Sequence, residues 1–281
     1  MSHPAGLGPR PPGVTAGPHF AAWFADLAGR LLNGVDLLVV GDPYRVAEVE
    51  MYYHDAAHPD PFTHRDPVQR ESGRWYFHRT GGAYRGGSFK GVDLTFGDGR
   101  ATFGVLVRTV VAPDGTLIDG PSLTVDHVLA RTKAAGVAEL DARIAGRSIW
   151  DESSPLAVRT VTTPRTAEVI STSRIGLSLK RTHTPDALRF VMRPYRYLTE
   201  PRRVTKGRPQ TVVALHERGL DAAAVRAVTG VPAKTIDRYL AAYAAGAAVR
   251  DFTGYVGRDL TPADRCRLLG TWAAHFAAGD S

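Results

Sequence analysis

Apolar positions along the chain change period several times, and each change marks an element. Between Phe20 and Leu32, Phe20, Trp23, Phe24, Leu27, Leu31 and Leu32 recur at helical spacing, and Asn33-Gly34 supplies a stop. Strand patterns follow: "VDLLVV" from Val35, "RVAEVEMYY" from Arg45, "GRWYFHRT" from Gly73, "FKGVDLTFG" from Phe89 and "ATFGVLVRTVV" from Ala101, separated by Gly, Pro and Asp turns. "GPSLTVDHVLARTKA" from Gly120 predicts a helix with Pro121 in its first turn, and "EVISTSRIGLSLK" and "ALRFVMRPY" predict returning strands. From Gln210 the Ala, Leu and Val spacing is helical almost throughout, with breaks at Gly219 and Gly230.

These patterns divide the chain into four parts. Residues 1–18 form a Pro/Gly-rich tail expected to be flexible, and residues 19–198 one mixed α/β domain of the α+β class. Residues 199–210 carry Arg202, Arg203, Lys206 and Arg208 against one Glu, a basic linker. Residues 211–281 form a small all-α domain.

Composition narrows the function classes. Lys and Arg exceed Asp and Glu by 35 to 28, a net charge of +7, which suits a polyanionic partner. The single cysteine, Cys266, allows neither an internal disulfide nor a Cys-pair zinc site, as expected of a cytoplasmic protein. No apolar run is long enough for a membrane helix, and the opening residues lack the apolar core of a signal peptide.

The chemistry concentrates in "AEVEMYYHDAAHPDPFTHRDP", Ala47 to Pro67. Strand alternation puts Ala47, Val49, Met51 and Tyr53 on one face and Glu48, Glu50 and Tyr52 on the other, with the two glutamates about 7 Å apart. On pattern alone this is a half-solvated edge strand. His54 and His58, four apart, invite a zinc reading, but Asp55 stands where a zinc protease needs Glu, and Pro59 and Pro61 stop a helix from carrying both ligands. No zinc site is therefore expected here. A histidine beside a carboxylate and aromatic rings can instead bind a flat heterocycle.

Ordered blocks along the chain resemble the alkyladenine (3-methyladenine) DNA glycosylase family. "EVEMY" from Glu48 resembles the family's E-T-E-A-Y strand, "GRWYFH" its G-T-L-Y-V-Y, "VLVRTV" its L-L-R-A-L, and "GPSLTVDHVLA" its G-P-S-K-L helix; "SRIGLSLKRTHTPDALRFVMR" resembles its closing segment. The likeness spans residues 24–198. It implies an antiparallel, partly barrel-like sheet and a monofunctional N-glycosylase that flips a damaged base, such as an alkylated purine, out of duplex DNA for base excision repair. By position, Glu50 would activate the attacking water, Arg108 would help hold it, and the backbone carbonyl of Ile175 would position it. Tyr52, His64 and His78 would hold the flipped base. Such an enzyme needs no cofactor and acts on DNA as a monomer.

The segment "HRTGGAYRGGSFKGVDLTFG" departs from the family, leaving no clear counterpart to its duplex-inserting tyrosine, and Gly97 falls near an asparagine that screens out normal guanine. Tyr84, Phe89 and Lys90 are alternatives for the wedge, and with Arg85 they suit contact with nucleic acid. In the all-α domain, "LDAAAVRAVTGVPAKTIDRYLAAYAAG" predicts a helix-turn-helix whose second helix presents Lys234, Thr235 and Arg238, while Arg202, Arg203 and Lys206 supply phosphate contacts. A non-catalytic DNA-binding regulator and an N-glycosidase acting on a nucleoside or unusual base are the alternative readings.

Overall fold

The computed structural model describes residues 6–14 and 17–276. The elements in chain order are α1 (Gly17–Asn33), β1 (Val35–Val39), β2 (Asp42–His54), β3 (Ser72–Phe77), β4 (Arg79–Thr80), β5 (Ala83–Tyr84), β6 (Val92–Phe96), β7 (Thr102–Val111) and β8 (Leu117–Asp119). They continue as α2 (Pro121–Thr132), α3 (Val137–Ile144), β9 (Leu156–Thr160), β10 (Ile170–Thr172), α4 (Pro185–Phe190), β11 (Arg196–Leu198), α5 (Arg208–Glu217), α6 (Ala222–Thr229), α7 (Ala233–Ala247) and α8 (Pro262–Phe276).

One antiparallel sheet runs β10-β11-β2-β7-β6-β3; β1 pairs with β2 and β9, and β8 pairs with β7. β2 is long enough to hold β1 against its first residues and β11 against Glu48–Glu50, so it is the centre of the sheet rather than the edge expected from its alternation. Among the described residues no pairing joins β10 to β3, so the sheet stays open, correcting the partly barrel-like expectation. α1 buries Phe20, Phe24, Leu27 and Leu31 completely, on the face of β2 that carries Val49, Met51 and Tyr53. At about 1.5–3 kcal/mol per such side chain, this cluster is a principal source of stability.

Two segments differ from their predicted form. "ALRFVMRPY" is not a strand: the Thr184 hydroxyl accepts from the Ala187 amide, Pro185 opens the first turn of α4, and extended backbone returns only at β11. A hydroxyl cap followed by Pro thus overrides the apolar run. "EVISTSRIGLSLK" contains only the three-residue strand β10.

Of the tail, residues 1–5 and 15–16 lie outside the described residues, whereas residues 6–14 pack on the domain: Leu7 and Val14 are buried and Arg10 pairs with Asp55. The basic linker is likewise tied down, with Val204 buried and the Asp119 carboxylate accepting from the Thr205 amide and hydroxyl. The helices α5 to α8 share one apolar cluster with the sheet edge, in which Ile170, Leu179 and Leu198 meet Val212, Val213, Val225, Ile236 and Leu268. Within that block Asp221 caps α6 through the Ala224 amide, and Gly230, at φ +68°, turns the chain toward α7.

Candidate functional site

The face of β2 opposite α1 is where the charge collects, and a register irregularity shapes it. Val46 pairs with Val110, Glu48 with Thr109, and Val49 with Val107, leaving Ala47 and Arg108 unpaired. This bulge lets Leu106, Arg108 and Thr109 all serve the glutamate face; bulges commonly re-aim side chains in this way. The Arg108 carbonyl is satisfied by the Gly120 amide and the Thr124 hydroxyl at the start of α2.

Both glutamates are fully buried, and their partners differ. Glu48 Oε1 accepts from Arg108 Nε at 3.0 Å and Arg196 Nε at 2.5 Å, and its other oxygen accepts from the Thr109 hydroxyl. Burial pushes the Glu48 carboxyl up, but Arg196 and Arg108 outweigh burial and hold it below the ordinary carboxylate range. Glu50 accepts at Oε1 from the Ile175 amide at 2.7 Å, and at Oε2 from the Tyr52 hydroxyl at 2.8 Å and Arg108 Nη1 at 3.1 Å. Three of the roughly four acceptor positions of the carboxylate are therefore used among the described residues. Burial and then the Glu50 charge push the Tyr52 hydroxyl well above its usual range, which keeps it a donor.

Ile175 therefore meets Glu50 through its amide, where the resemblance implied a carbonyl facing water. Arg174, adjacent and fully buried, pairs with Asp60 at 2.6 Å and lies 4.7 Å over the Tyr52 ring. One face of Tyr52 is thus occupied by the guanidinium.

A second group lies across the sheet. His78 Nε2 is 2.7 Å from Asp93 Oδ1, Gln69 donates to Asp93 Oδ2, and His64 Nδ1 is 3.1 Å from the Tyr76 hydroxyl. The His64 and His78 rings meet edge to face at 4.4 Å. Burial, then the neighbouring His78, lowers His64 to about 4, so it is neutral at pH 7. The register joins the two groups: Arg196, Glu50, Leu106, Asp93 and Tyr76 are consecutive partners across β11, β2, β7, β6 and β3. Direct partners share a face, so Glu50 and Asp93 stand two strand spacings apart, about 10 Å, over Leu106. Gly104, in the next row, makes room for the Asp93–Gln69 pair, because a Cβ there would fall 2.3 Å from Asp93 Oδ2 and 2.4 Å from Gln69 Nε2.

The histidines of the zinc reading go elsewhere. His58 is buried among Phe20, Phe24, Phe190 and Tyr195, with Nε2 at 2.8 Å from the Tyr195 hydroxyl and Nδ1 at 3.2 Å from the Tyr53 carbonyl. Both ring nitrogens are thereby engaged. His54 lies in an open cleft at the end of β2.

The residues expected to touch DNA fall into tethered and untethered sets. The Tyr84 hydroxyl donates to Asp141 at 2.5 Å and Arg79 stacks on its ring, Arg85 donates to the Thr80 hydroxyl, and Lys90 pairs with Asp126. Phe89 is 72% exposed on a turn that Ser122 ties to α2 through the Gly87 carbonyl. Arg203 reaches the Gly115 carbonyl and Glu200, and Arg202 reaches the Ala227 carbonyl. Arg202, Arg226 and Gly230 line a cleft of about 600 Å³ beside the start of α7, and Lys206, Lys234 and Arg238 are exposed.

No protein-family model matches the chain. The chain is 32% identical to an uncharacterized protein of Acanthamoeba polyphaga mimivirus over 193 residues, which span 63% of this chain and 85% of the viral protein. It belongs to the family of that viral protein. This kinship carries no activity with it, so the chemistry rests on the residues.

Sequence reasoning did not single out Arg174, Arg196, Asp60 or Asp93. The available signal was a charged residue inside an apolar stretch, as in "YRYL" around Arg196 and "VDLTF" around Asp93. A charge in such a position is buried only when paired.

Proposed function

We propose that the protein is a monofunctional DNA N-glycosylase of the alkyladenine type, hydrolysing the glycosidic bond of a flipped damaged base. The observation that carries this reading is the register row: a buried carboxylate held by Arg108 and Tyr52, and a Tyr-His-His aromatic group, on one sheet face about 10 Å apart. In this reading a planar base stacks on Tyr52 opposite Arg174, between Glu50 and the His78–Asp93 pair. Stacking at about 1–3 kcal/mol per ring offsets part of the few kcal/mol that extrusion from the duplex costs.

In the proposed reaction, water hydrogen-bonded to Glu50 attacks the sugar C1′. The C–O bond forms as the C–N bond breaks, the water proton passes to Glu50, and the base departs neutralised by a proton or an existing alkyl charge. Arg108, bridging both glutamates, stabilises the carboxylate before attack. Neutral His64 and the His78–Asp93 pair are the groups available to the base edge.

Phe89 is the favoured wedge, because Tyr84 and Lys90 already have partners whereas Phe89 presents an apolar ring to solvent. Our reading includes a helix-turn-helix-like unit at α6 and α7 as a further duplex contact, with Arg202 beside the Gly230 turn and Lys234 and Arg238 exposed on α7.

The test is incubation of duplexes carrying alkylated, deaminated or etheno bases with wild type and Glu50→Gln, scoring abasic sites. Wild type releases a base and the variant does so at least about a hundredfold more slowly. A wild type that binds these duplexes and releases nothing would transfer the weight to a non-catalytic DNA-binding regulator.

A further inference from the structure

At the end of the sheet where β2 leaves and β7 begins, a cleft of about 720 Å³ is lined by Arg10, Arg65, Arg70, Arg100 and His54. Its two acids are already committed. Asp55 takes Arg10, the Tyr53 hydroxyl and the amides of Ala57 and His58, and Asp98 takes the amides of Arg100 and Ala101. Among the described residues no carboxylate pairs with Arg65, Arg70 or Arg100. These cations come from separate segments: the turn after His64, the end of a short 3-10 turn at Pro67–Arg70, and the β6–β7 connection.

Arg10, Arg65, Arg70 and Arg100 against Asp55 and Asp98 leave the cleft net positive, and the three exposed arginines without a carboxylate partner are free to turn toward an anion. Arg65 adds a backbone cost, because at φ +57° it occupies the left-handed region that disfavours any side chain. Strain of this kind is typical of binding segments. The cleft also continues the candidate site: His54 follows Glu50 and Tyr52 along the same face of β2, and Arg65 follows His64 in the chain.

We propose that Arg65, Arg70 and Arg100 form a phosphodiester-binding cleft that holds the nucleic-acid backbone beside the flipped nucleotide. The proposal rests on the DNA reading of the neighbouring site, but it concerns phosphate contact rather than chemistry. Guanidiniums spread over an open cavity match the repeated phosphates of a strand better than a single small anion, which would be enclosed.

The experiment measures binding of the full-length Glu50→Gln protein to a fluorescent duplex across a salt series. Arg70→Gln/Arg100→Gln, introduced into that background, lowers the slope of log K against log salt by about 2 and weakens binding about tenfold or more at low salt. Arg267→Gln, an exposed arginine on α8, leaves both unchanged. Inorganic phosphate in a thermal-shift titration separates the two anion sources: stabilisation by millimolar phosphate that the double variant abolishes, without any change in duplex slope, overturns the proposal in favour of a small-anion site. An unchanged slope with no phosphate effect overturns it outright. Failure of base release in the wild type leaves the slope measurement intact, so the cleft and the glycosylase reading fail separately.

Discussion

Glu48 and Glu50 differ by two positions and have the same burial, yet their partners assign them opposite work. Glu48 binds two guanidiniums and a hydroxyl, which ties β2, β7 and β11 together. Glu48→Ala strands Arg196 as a fully buried cation and lowers stability by about 3–5 kcal/mol, seen as a reduced urea midpoint. Glu50→Gln keeps a polar group of the same size and is expected to change the midpoint far less, with its loss appearing in base release. His58 supplies a pH signature. Burial lowers it to about 4 from 6.5, with Asp60 opposing and Arg193 and Arg174 reinforcing the shift. A depressed histidine contributes stability that is complete above pH 6.5 and is lost as pH falls toward 4, at about 1.4 kcal/mol per unit. Between pH 7 and pH 5 the unfolding free energy falls by about 2 kcal/mol from this ring, and His64, also lowered to about 4, adds a similar share, so His58→Phe removes roughly half of that slope. A slope that His58→Phe leaves intact would assign the whole effect to His64.

At the scale of elements, what the sequence made legible follows from periodicity, and what it hid follows from long-range pairing. The alternation of Ala47, Val49, Met51 and Tyr53 against Glu48, Glu50 and Tyr52 gave the right faces for β2, since side-chain direction is a local property of a strand. Alternation says nothing about what covers the polar face. The edge-strand expectation therefore failed: Arg174, Arg196 and the Ile175 amide, all more than 120 residues away, complete the site. The resemblance-derived choice of Glu50, Tyr52 and Arg108 names residues that do meet, whereas His64 and His78 form their own group across the sheet. Turns are similarly non-obvious. The β1–β2 hairpin closes through Val40-Gly41 with φ of +53° and +84°, a two-residue turn needing left-handed backbone at both positions. Val40 is 55% exposed and gains little from packing, so Val40→Asn raises stability by about 1 kcal/mol, measurable as a higher melting temperature. At the entry to α5 the constraint is opposite. Gly207, at φ +74°, would place a Cβ 2.4 Å from Ile175 Cδ1, so Gly207→Ala lowers both stability and the order of the Glu50 site.

For the whole molecule, the division at residues 199–210 separates compositions but not cores. Leu198 is the end of β11 and is fully buried with Val212 and Val213 of α5, and Arg196 donates to both the Lys206 carbonyl and the Thr211 hydroxyl. The same guanidinium holds Glu48, so the helical block is wired to the candidate site through one side chain. Folding of the two parts should then be coupled. The full chain is expected to unfold in one transition, with circular dichroism and tryptophan fluorescence coincident. A chain ending at Val204 exposes Ile170, Leu179 and Leu198 together and leaves Arg196 without its α5 partner; at about 1.5–3 kcal/mol per such side chain, that loss is comparable with the roughly 5–15 kcal/mol by which domains are usually stable. The truncated chain is therefore expected to lose cooperative melting and to bind a hydrophobic dye. A truncated chain that melts sharply near the full-length temperature would show two independent domains, and the connection through Arg196 would then have no part in holding the candidate site together.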